Sequence, residues 1–475
     1  ANDDWQWDGT LLYADADNGY DEWSLNNTGF DTYSDEPGRD EQKTVAGSIR
    51  GTWTGLDDVK ISTTTSYTDT DSLYSYDGDW GSGYTTPPAT ASNSGYSGFL
   101  SADRERDVFS EEIRLDSKDQ EDALGWIDRW TVGLYYQQLN ENSNILYIDF
   151  DPAAVQSEYE SDTHAFYTQF AHDFSPNTRL TVGLRYEHHK VSFSSATLDN
   201  TDLDLENGVD LLSGGSDHVE DNLWGGKITF EHDLSKSQTV FVNLARGYKA
   251  GGANTGVFRK ENDPSTYEKE TLWNYELGLN SQWFDDKVDT KITFFYMERE
   301  NTQFRDSDGA GAFFRYFTDN KGNANHYGLE TEATWFINKK WTANAGLGLL
   351  QAEAENSSRN LANTPSLTYN ARIDYAANNG FFANLEVTGS DAYYESNSHN
   401  EKRNAFAVVN SSIGYRHHGW TLTLWAKNLL KESYEKRLFY VDNYHPDDGF
   451  AAGSKRRFED PADPQQFGIT ANYRW

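Results

Sequence analysis

Hydrophobic and polar residues alternate one by one through most of this chain, as in strands with one dry and one wet face. The last segment shows the pattern in full. In FGITANYRW, Phe467, Ile469, Ala471, Tyr473 and Trp475 share one side, and Gly468, Thr470, Asn472 and Arg474 the other. The apolar side starts and ends on aromatics, as expected where a strand crosses hydrocarbon and meets water at both boundaries. Its length also suits a tilted strand in a bilayer, which needs about 9–11 residues. A strand laid over a soluble core alternates in the same way, so this segment by itself leaves both readings open.

The same alternation predicts strands near 4–15, 41–54, 57–70, 106–117, 126–141, 158–174, 178–195, 217–234, 236–248, 270–284, 287–304, 323–337, 340–355, 366–378, 380–393, 402–416, 419–434 and 463–475, which makes 18. Connections after even-numbered strands are mostly tight and carry turn residues: Ser175-Pro176-Asn177, Asp285-Asp286, Asn338-Lys339 and the Asn379-Gly380 region. Those after odd-numbered strands are often long, as at 16–40, 71–105, 249–269 and 435–462. Short turns at one rim and long loops at the other describe a transmembrane antiparallel β-barrel. Charges keep to one face: Leu180, Val182, Leu184 and Tyr186 alternate with Thr181, Gly183, Arg185 and Glu187. With no other core material in the chain, the charged face looks into a watery lumen.

Composition sharpens this all-β reading. Aromatics make up 15% of residues, Pro numbers only 10 and Met one, which favours strands over disorder. A formal charge of −36 argues against nucleic acid as a partner. With no cysteine, neither disulfides nor thiolate metal sites hold the fold. No run approaches the ~18 apolar residues of a transmembrane helix, yet a barrel hides its apolar residues in alternation and tolerates a mean hydropathy of −0.80. Ala1 to Asp8 is polar and acidic rather than a leader, so the expectation is a leader already removed or a piece of a longer chain.

FVNLARGYKAGGANTG at Phe241 to Gly256 resembles the barrel of a TonB-dependent outer-membrane receptor of the ferric-siderophore type. So do FSEEIRLDS at Phe109 to Ser117, LTVGLRYEHHK at Leu180 to Lys190 and YEKETLWNYELGLNSQWFDDKV at Tyr267 to Val288. NANHYGLETEATW at Asn323 to Trp335, NTPSLTYNARIDY at Asn363 to Tyr375 and WAKNLLKESYEKR at Trp425 to Arg437 follow in the family's order. The resemblance implies a barrel of about 22 strands around an N-terminal plug. This sequence contains neither a plug nor a recognisable TonB box, and TLLYADADNGYDEWSLNN at Thr10 to Asn27 resembles a segment several strands into the family's barrel. Residues 1–475 are therefore expected to be the C-terminal part of the barrel of a longer receptor, with a shorter complete barrel as the alternative.

Nothing in the chain looks catalytic. Glu111 and Glu112 are strand neighbours that point to opposite faces and cannot pair as acid and base. His188-His189 and His417-His418 lack partners at metal-ligand spacing. Asp15, Asp17, Asp21 and Glu22 depart from a calcium-loop order and read as solvated acidic surface. Arg246, Lys249 and Arg259 surround the glycines of 251–256, which the family motif explains better than a phosphate loop does. No cofactor or metal is expected.

Loop aromatics are the candidate ligand contacts, because they offer large area at low entropic cost and stack on flat groups. Tyr76, Trp80, Tyr84, Phe258, Arg259, Phe304, Phe314, Tyr440 and Tyr444 form the candidate set, with Tyr74, Tyr96, Phe313 and Phe439 beside them. Interface girdle or loop packing is the competing reading. Arg437, Lys455, Arg456 and Arg457 suit an anionic ferric chelate, neighbouring acids or lipopolysaccharide phosphates. The resemblance implies uptake of a scarce large nutrient, most often a ferric siderophore, across the outer membrane of a Gram-negative cell, driven by the TonB complex through the plug. Membrane lipid and lipopolysaccharide are the implied surroundings. A passive porin-like channel and a soluble glycan-binding or glycan-cleaving β protein are the rival readings; the ligand itself is not legible.

Overall fold

The computed structural model describes all residues except 1–3, 20–22, 27, 33, 35, 37, 79–98, 119–124, 149–152, 198–208, 212–214, 255–257, 261–263, 309–314, 356, 358, 442–455 and 475. The described part contains no helix; one antiparallel sheet of 18 strands dominates. Its strands are β1 Trp5–Asp17, β2 Arg39–Trp53, β3 Val59–Asp77, β4 Phe99–Ser117, β5 Arg129–Ile148 and β6 Ala153–Ser175. Then come β7 Thr178–Thr197, β8 Gly215–Ser235, β9 Gln238–Lys249, β10 Glu270–Trp283, β11 Val288–Glu300 and β12 Ala324–Asn338. The wall ends with β13 Trp341–Ala354, β14 Leu367–Ala376, β15 Phe381–Ser390, β16 Phe406–His417, β17 Trp420–Lys427 and β18 Gln466–Tyr473.

Each strand pairs with the next, from Trp5↔Trp53 between β1 and β2 to Trp420↔Tyr473 between β17 and β18. Every predicted strand is present in its predicted order. Tight turns close one rim; His418 and Gly419, for instance, both take left-handed conformations (φ 45° and 80°), the geometry of a two-residue turn that follows strand twist. Among the described residues, no pairing joins β18 back to β1. Both are edges, and Leu11 in β1 is 92% exposed.

Alternation sorts the side chains as the sequence predicts. Leu134, Phe166, Leu184, Ile228, Val242, Leu277, Phe294, Leu385 and Leu422 lie exposed on the outward face. In a soluble protein so large an exposed apolar surface would drive aggregation; around a barrel it is the lipid belt. Trp5, Trp53, Trp283, Trp335, Trp341, Trp420 and Tyr473 ring the belt near the tight-turn rim, and Tyr136, Tyr186, Trp224, Tyr275, Tyr296 and Tyr327 ring it toward the long loops. The lumen face carries polar networks, in which Tyr167 donates to Glu112 (2.7 Å), Arg185 pairs with Glu187 (2.6 Å), and Arg372 bridges Asp374 (2.8 Å) and Glu386 (3.0 Å).

The upper ends of the strands differ from expectation. β3 to β6 run several residues further than predicted, so that 142–148 and 153–157, expected to be loop, are paired strand. The reason is that backbone pairing continues after the apolar side chains stop: above the belt both faces are wet, and hydrophobic alternation no longer marks the strand. β17 is shorter than predicted, ending at Lys427 before the left-handed Asn428 (φ 48°).

Candidate functional site

The long loops fold as small hairpins tied to one another. Gln303–Asp308 pairs with Arg315–Asn320, Glu435–Val441 with Arg456–Pro461, and Tyr393–Tyr394 with Lys402–Arg403. At the head of β10 and β11, Arg299 forks onto Glu270 (2.6 and 2.9 Å), and the same carboxylate accepts the Gln303 amide at 2.7 Å. Asn254 clasps Thr318 in both directions, accepting from its amide (2.7 Å) and donating to its carbonyl (2.8 Å). Gly251 donates to Asp221 on the lumen face of β8 at 2.8 Å, and a Cβ on Gly252 would stand 2.3 Å from the Tyr267 hydroxyl. These two glycines let the loop lie flat against the wall.

The loops after β11, β13 and β15 meet in a second knot. Ser398 and Lys321 both bind Asp306, and Arg359 donates to the carbonyls of Ser396 (3.0 Å) and Asn397 (2.7 Å). Burial pushes the Asp306 carboxyl up, but Lys321, Ser398 and the Ser307 amide outweigh it and hold the group below the usual carboxylate range. Burial pushes Glu395 the other way, up, despite its pairing with Arg403.

Cations lie over aromatic faces throughout this mouth. Tyr394 has Arg359 at 4.6 Å and Lys402 at 4.4 Å from its ring centre; Arg403 lies over Tyr393 at 5.1 Å and Arg305 over Tyr316 at 4.0 Å. Tyr316 is half exposed and within electrostatic reach of Arg437 and Glu395 from two other loops. A rim of flat rings and fixed positive charge, in a chain of charge −36, suits a flat anionic ligand. Sequence reasoning missed Arg359, Tyr393, Tyr394 and Lys402. The signal lies in the aromatic pair Tyr393-Tyr394 and the basic pair Lys402-Arg403 on either side of the polar stretch ESNSHN; Tyr393 and Lys402 fall at the ends of predicted strands, and Tyr394 and Arg359 in the connections.

Of the sequence candidates, Tyr440 is 39% exposed, with its hydroxyl pushed up by burial and by Glu401. Tyr76 packs beside Tyr74 (5.7 Å) on the lumen face at the top of β3. Phe304 is corrected: at 8% exposure it packs against Ala324, Ala352 and Leu361, a small core under the loops, because its hairpin turns that side inward. Phe258 and Arg259 lie on a short strand paired with Val209–Leu211, with side chains outside the described part. Trp80, Tyr84, Tyr96, Phe313, Phe314, Tyr444, Lys455, Asp21 and Glu22 lie outside the described residues.

Arg437 binds Asp460 (3.2 Å) and Arg457 binds Glu435 (2.9 Å), while Arg456 is fully buried. For Arg437 and Arg457 the neighbouring-acid reading therefore holds. Arg246 lies over Trp224 at 3.9 Å on the outward face, away from the glycines at 251 and 252. Glu111 and Glu112 do point to opposite faces: Thr63 and Thr65 hydroxyls cap Glu111, and Tyr167 caps Glu112. His188 faces outward to Asn222 and His189 inward to Thr163. Among the described residues no three metal-ligating side chains converge.

Comparison with known proteins agrees with this architecture. The pesticin receptor of Yersinia pestis is 22% identical over 322 residues, covering 64% of this chain and 44% of its own length. The ferric enterobactin receptor of Pseudomonas aeruginosa is 23% identical over 369 residues, covering 67% and 44%. The chain thus spans less than half the length of these relatives. The crystal structure of the ferric yersiniabactin uptake receptor FyuA from Yersinia pestis superposes with a TM-score of 0.74 at 17% identity, covering all of this chain and 69% of that one. The ferric-catecholate import receptor Fiu from E. coli, closed form, gives 0.70 at 15% identity, covering 99% and 71%. Residues 1–429 match the family described as TonB dependent receptor-like, beta-barrel, and the chain belongs to that family.

Proposed function

We propose that this chain is the C-terminal wall of a Gram-negative outer-membrane receptor that captures an anionic ferric chelate at its outer mouth and imports it by TonB-coupled transport. The observation that carries the reading is Tyr394, whose ring centre has Arg359 at 4.6 Å and Lys402 at 4.4 Å, with Arg403 over Tyr393 and Arg305 over Tyr316. Aromatic catecholate-type chelates stack on rings, and their net negative charge is met by the guanidinium and ammonium groups. Iron is cargo here, enclosed by its chelator, so no protein ligand set is needed. Further strands of the same polypeptide would fill the seam between β1 and β18, and a plug would occupy the lumen and relay energy from the TonB complex. The family membership and the ferric-siderophore receptors among its relatives support this reading.

The test is titration of the purified receptor with an iron-loaded catecholate chelate, and with an uncharged iron-loaded hydroxamate chelate for comparison, followed by quenching of intrinsic fluorescence. Saturable binding is expected, with Lys402→Met and Tyr394→Ala each weakening it by up to about tenfold. Absence of binding, together with steady ion conductance in planar bilayers, would replace the receptor reading with a passive channel.

A further inference from the structure

Not every cation of the mouth has a donor left for a ligand. A guanidinium carries five N–H groups, four of them on its two Nη nitrogens. In Arg359 all four are taken. Nη1 donates to the His399 carbonyl and to Asn400 Oδ1 (2.9 Å), and Nη2 to the carbonyls of Ser396 (3.0 Å) and Asn397 (2.7 Å). The 396–400 turn thus wraps around one guanidinium that belongs to another loop. Two further bonds fasten the same loops: the Ala362 amide donates to Asn397 Oδ1 (2.9 Å) and the Asn363 amide to the Tyr394 carbonyl (2.8 Å). Arg403 is spent in the same way. It binds Glu395, the Tyr393 hydroxyl (2.8 Å) and Asn363 Oδ1 (2.9 Å), and its side chain is only 17% exposed.

Lys402 and Arg305 differ. Both are exposed, and among the described residues neither side chain makes a hydrogen bond or an ion pair. Lys402 stands opposite Tyr394 in the strand register, two residues past the turn. Arg305 lies over Tyr316, and its loop is fastened to the same turn where the Ser307 amide donates to Ser398 Oγ at 2.9 Å. One turn therefore sets the place of both open cations, and one guanidinium sets the turn.

We propose that Arg359 is a positioning residue that aims Lys402 and Arg305 at the ligand, and that these two, rather than Arg359 or Arg403, meet the anionic oxygens of the chelate. The inference rests on the reading of the mouth as a chelate site and divides the roles within it. Donor supply is the first argument. A charged oxygen is held by short N–H bonds; Lys402 has three N–H groups to give and Arg305 five, whereas Arg359 keeps only its Nε–H. Shape is the second. A lysine at position 359 would carry the same charge but could not reach four acceptors spread around a planar fork, so the turn requires the guanidinium itself.

The test compares Arg359→Lys, Lys402→Met and Arg305→Met in the full chain. An iron-loaded anionic catecholate chelate is the probe, with its affinity measured at low and high salt, and hydrogen exchange of the 396–400 amides is read without ligand. Every variant is first shown to keep the heat-dependent gel mobility of the folded wall. Lys402→Met and Arg305→Met are each expected to weaken binding about fivefold at low salt, the scale of one exposed charge contact, and to flatten its salt dependence, with turn exchange close to wild type. Arg359→Lys keeps the charge, yet is expected to speed turn exchange about tenfold and to weaken binding at both salts. Wild-type affinity and exchange in Arg359→Lys overturn the positioning role, as does faster exchange with unchanged affinity. Unaltered salt dependence in both methionine variants overturns the assignment of the anionic contact. A wild-type chain that binds no chelate overturns the receptor reading and that contact with it, while turn exchange in Arg359→Lys still decides whether the guanidinium holds the turn.

Discussion

The Trp23 indole meets the Phe439 ring edge to face, centroids 4.6 Å apart, and so joins the loop after the first wall strand to the loop before the last. Arg437 lies over the same indole at 4.8 Å, the Asn26 amide donates to the Arg457 carbonyl at 3.1 Å, and Leu25 pairs with Phe458. Below them, among the described residues, β1 and β18 share no pairing. The mouth is therefore tied across a place where the wall is not.

Trp23→Ala removes both the ring pair and the cation contact, about 1–2 kcal/mol of local stabilisation. Limited proteolysis is expected to cut the 18–38 and 428–465 loops faster, while heat-dependent gel mobility of the wall stays unchanged. A wall that loosens as much as the loops would show that these contacts hold the sheet itself.

At the head of β10 and β11, Glu270 is 6% exposed and depends on Arg299 for its countercharge. Arg299→Met leaves that carboxylate buried and unpaired, at a cost of about 3–5 kcal/mol, whereas Arg299→Met with Glu270→Gln restores much of it. Denaturant unfolding of the refolded barrel measures both. A double variant as unstable as the single one would contradict the assignment of the cost to the stranded charge.

Asp306 lies outside the membrane span, and its carboxyl is held low in the folded loops. A depressed carboxylate contributes stability that is present above its unfolded pKa and lost as pH falls through the folded one. The knot between the 301–323 and 391–405 loops is therefore expected to stay closed at neutral pH and to open only in acid, below the ordinary aspartate range. Hydrogen exchange at Ser307 and Ser398 across an acid titration reads this directly, and Asp306→Asn abolishes the step. Opening near neutrality would assign the transition to another group.

The wall was legible in the sequence because lipid and lumen impose strict alternation: Leu180, Val182, Leu184 and Tyr186 announce their face without help from the rest of the chain. The mouth was not. Phe304 reads from sequence as a loop aromatic offered to ligand, yet a hairpin turns it under the loops onto Ala324 and Leu361. Arg359 and Lys402 lie 43 positions apart in the numbering and meet over one ring only because two loops are knotted. Period-two pattern carries no such long-range information. The polar upper ends of β5 and β6 escaped for a related reason, since a strand wet on both faces has no hydrophobic signature.

The central claim is that one face of these strands meets lipid and the other a watery lumen. The chain has no native cysteine, so single cysteines placed in turn from Leu180 to Glu187 can carry spin labels free of background. In reconstituted bilayers, labels at 180, 182, 184 and 186 are predicted to collide with oxygen dissolved in lipid, and those at 181, 183, 185 and 187 with a water-soluble nickel chelate, with strict period two. If both sets meet the water-soluble reagent equally, the strand does not face lipid and the membrane-barrel account fails.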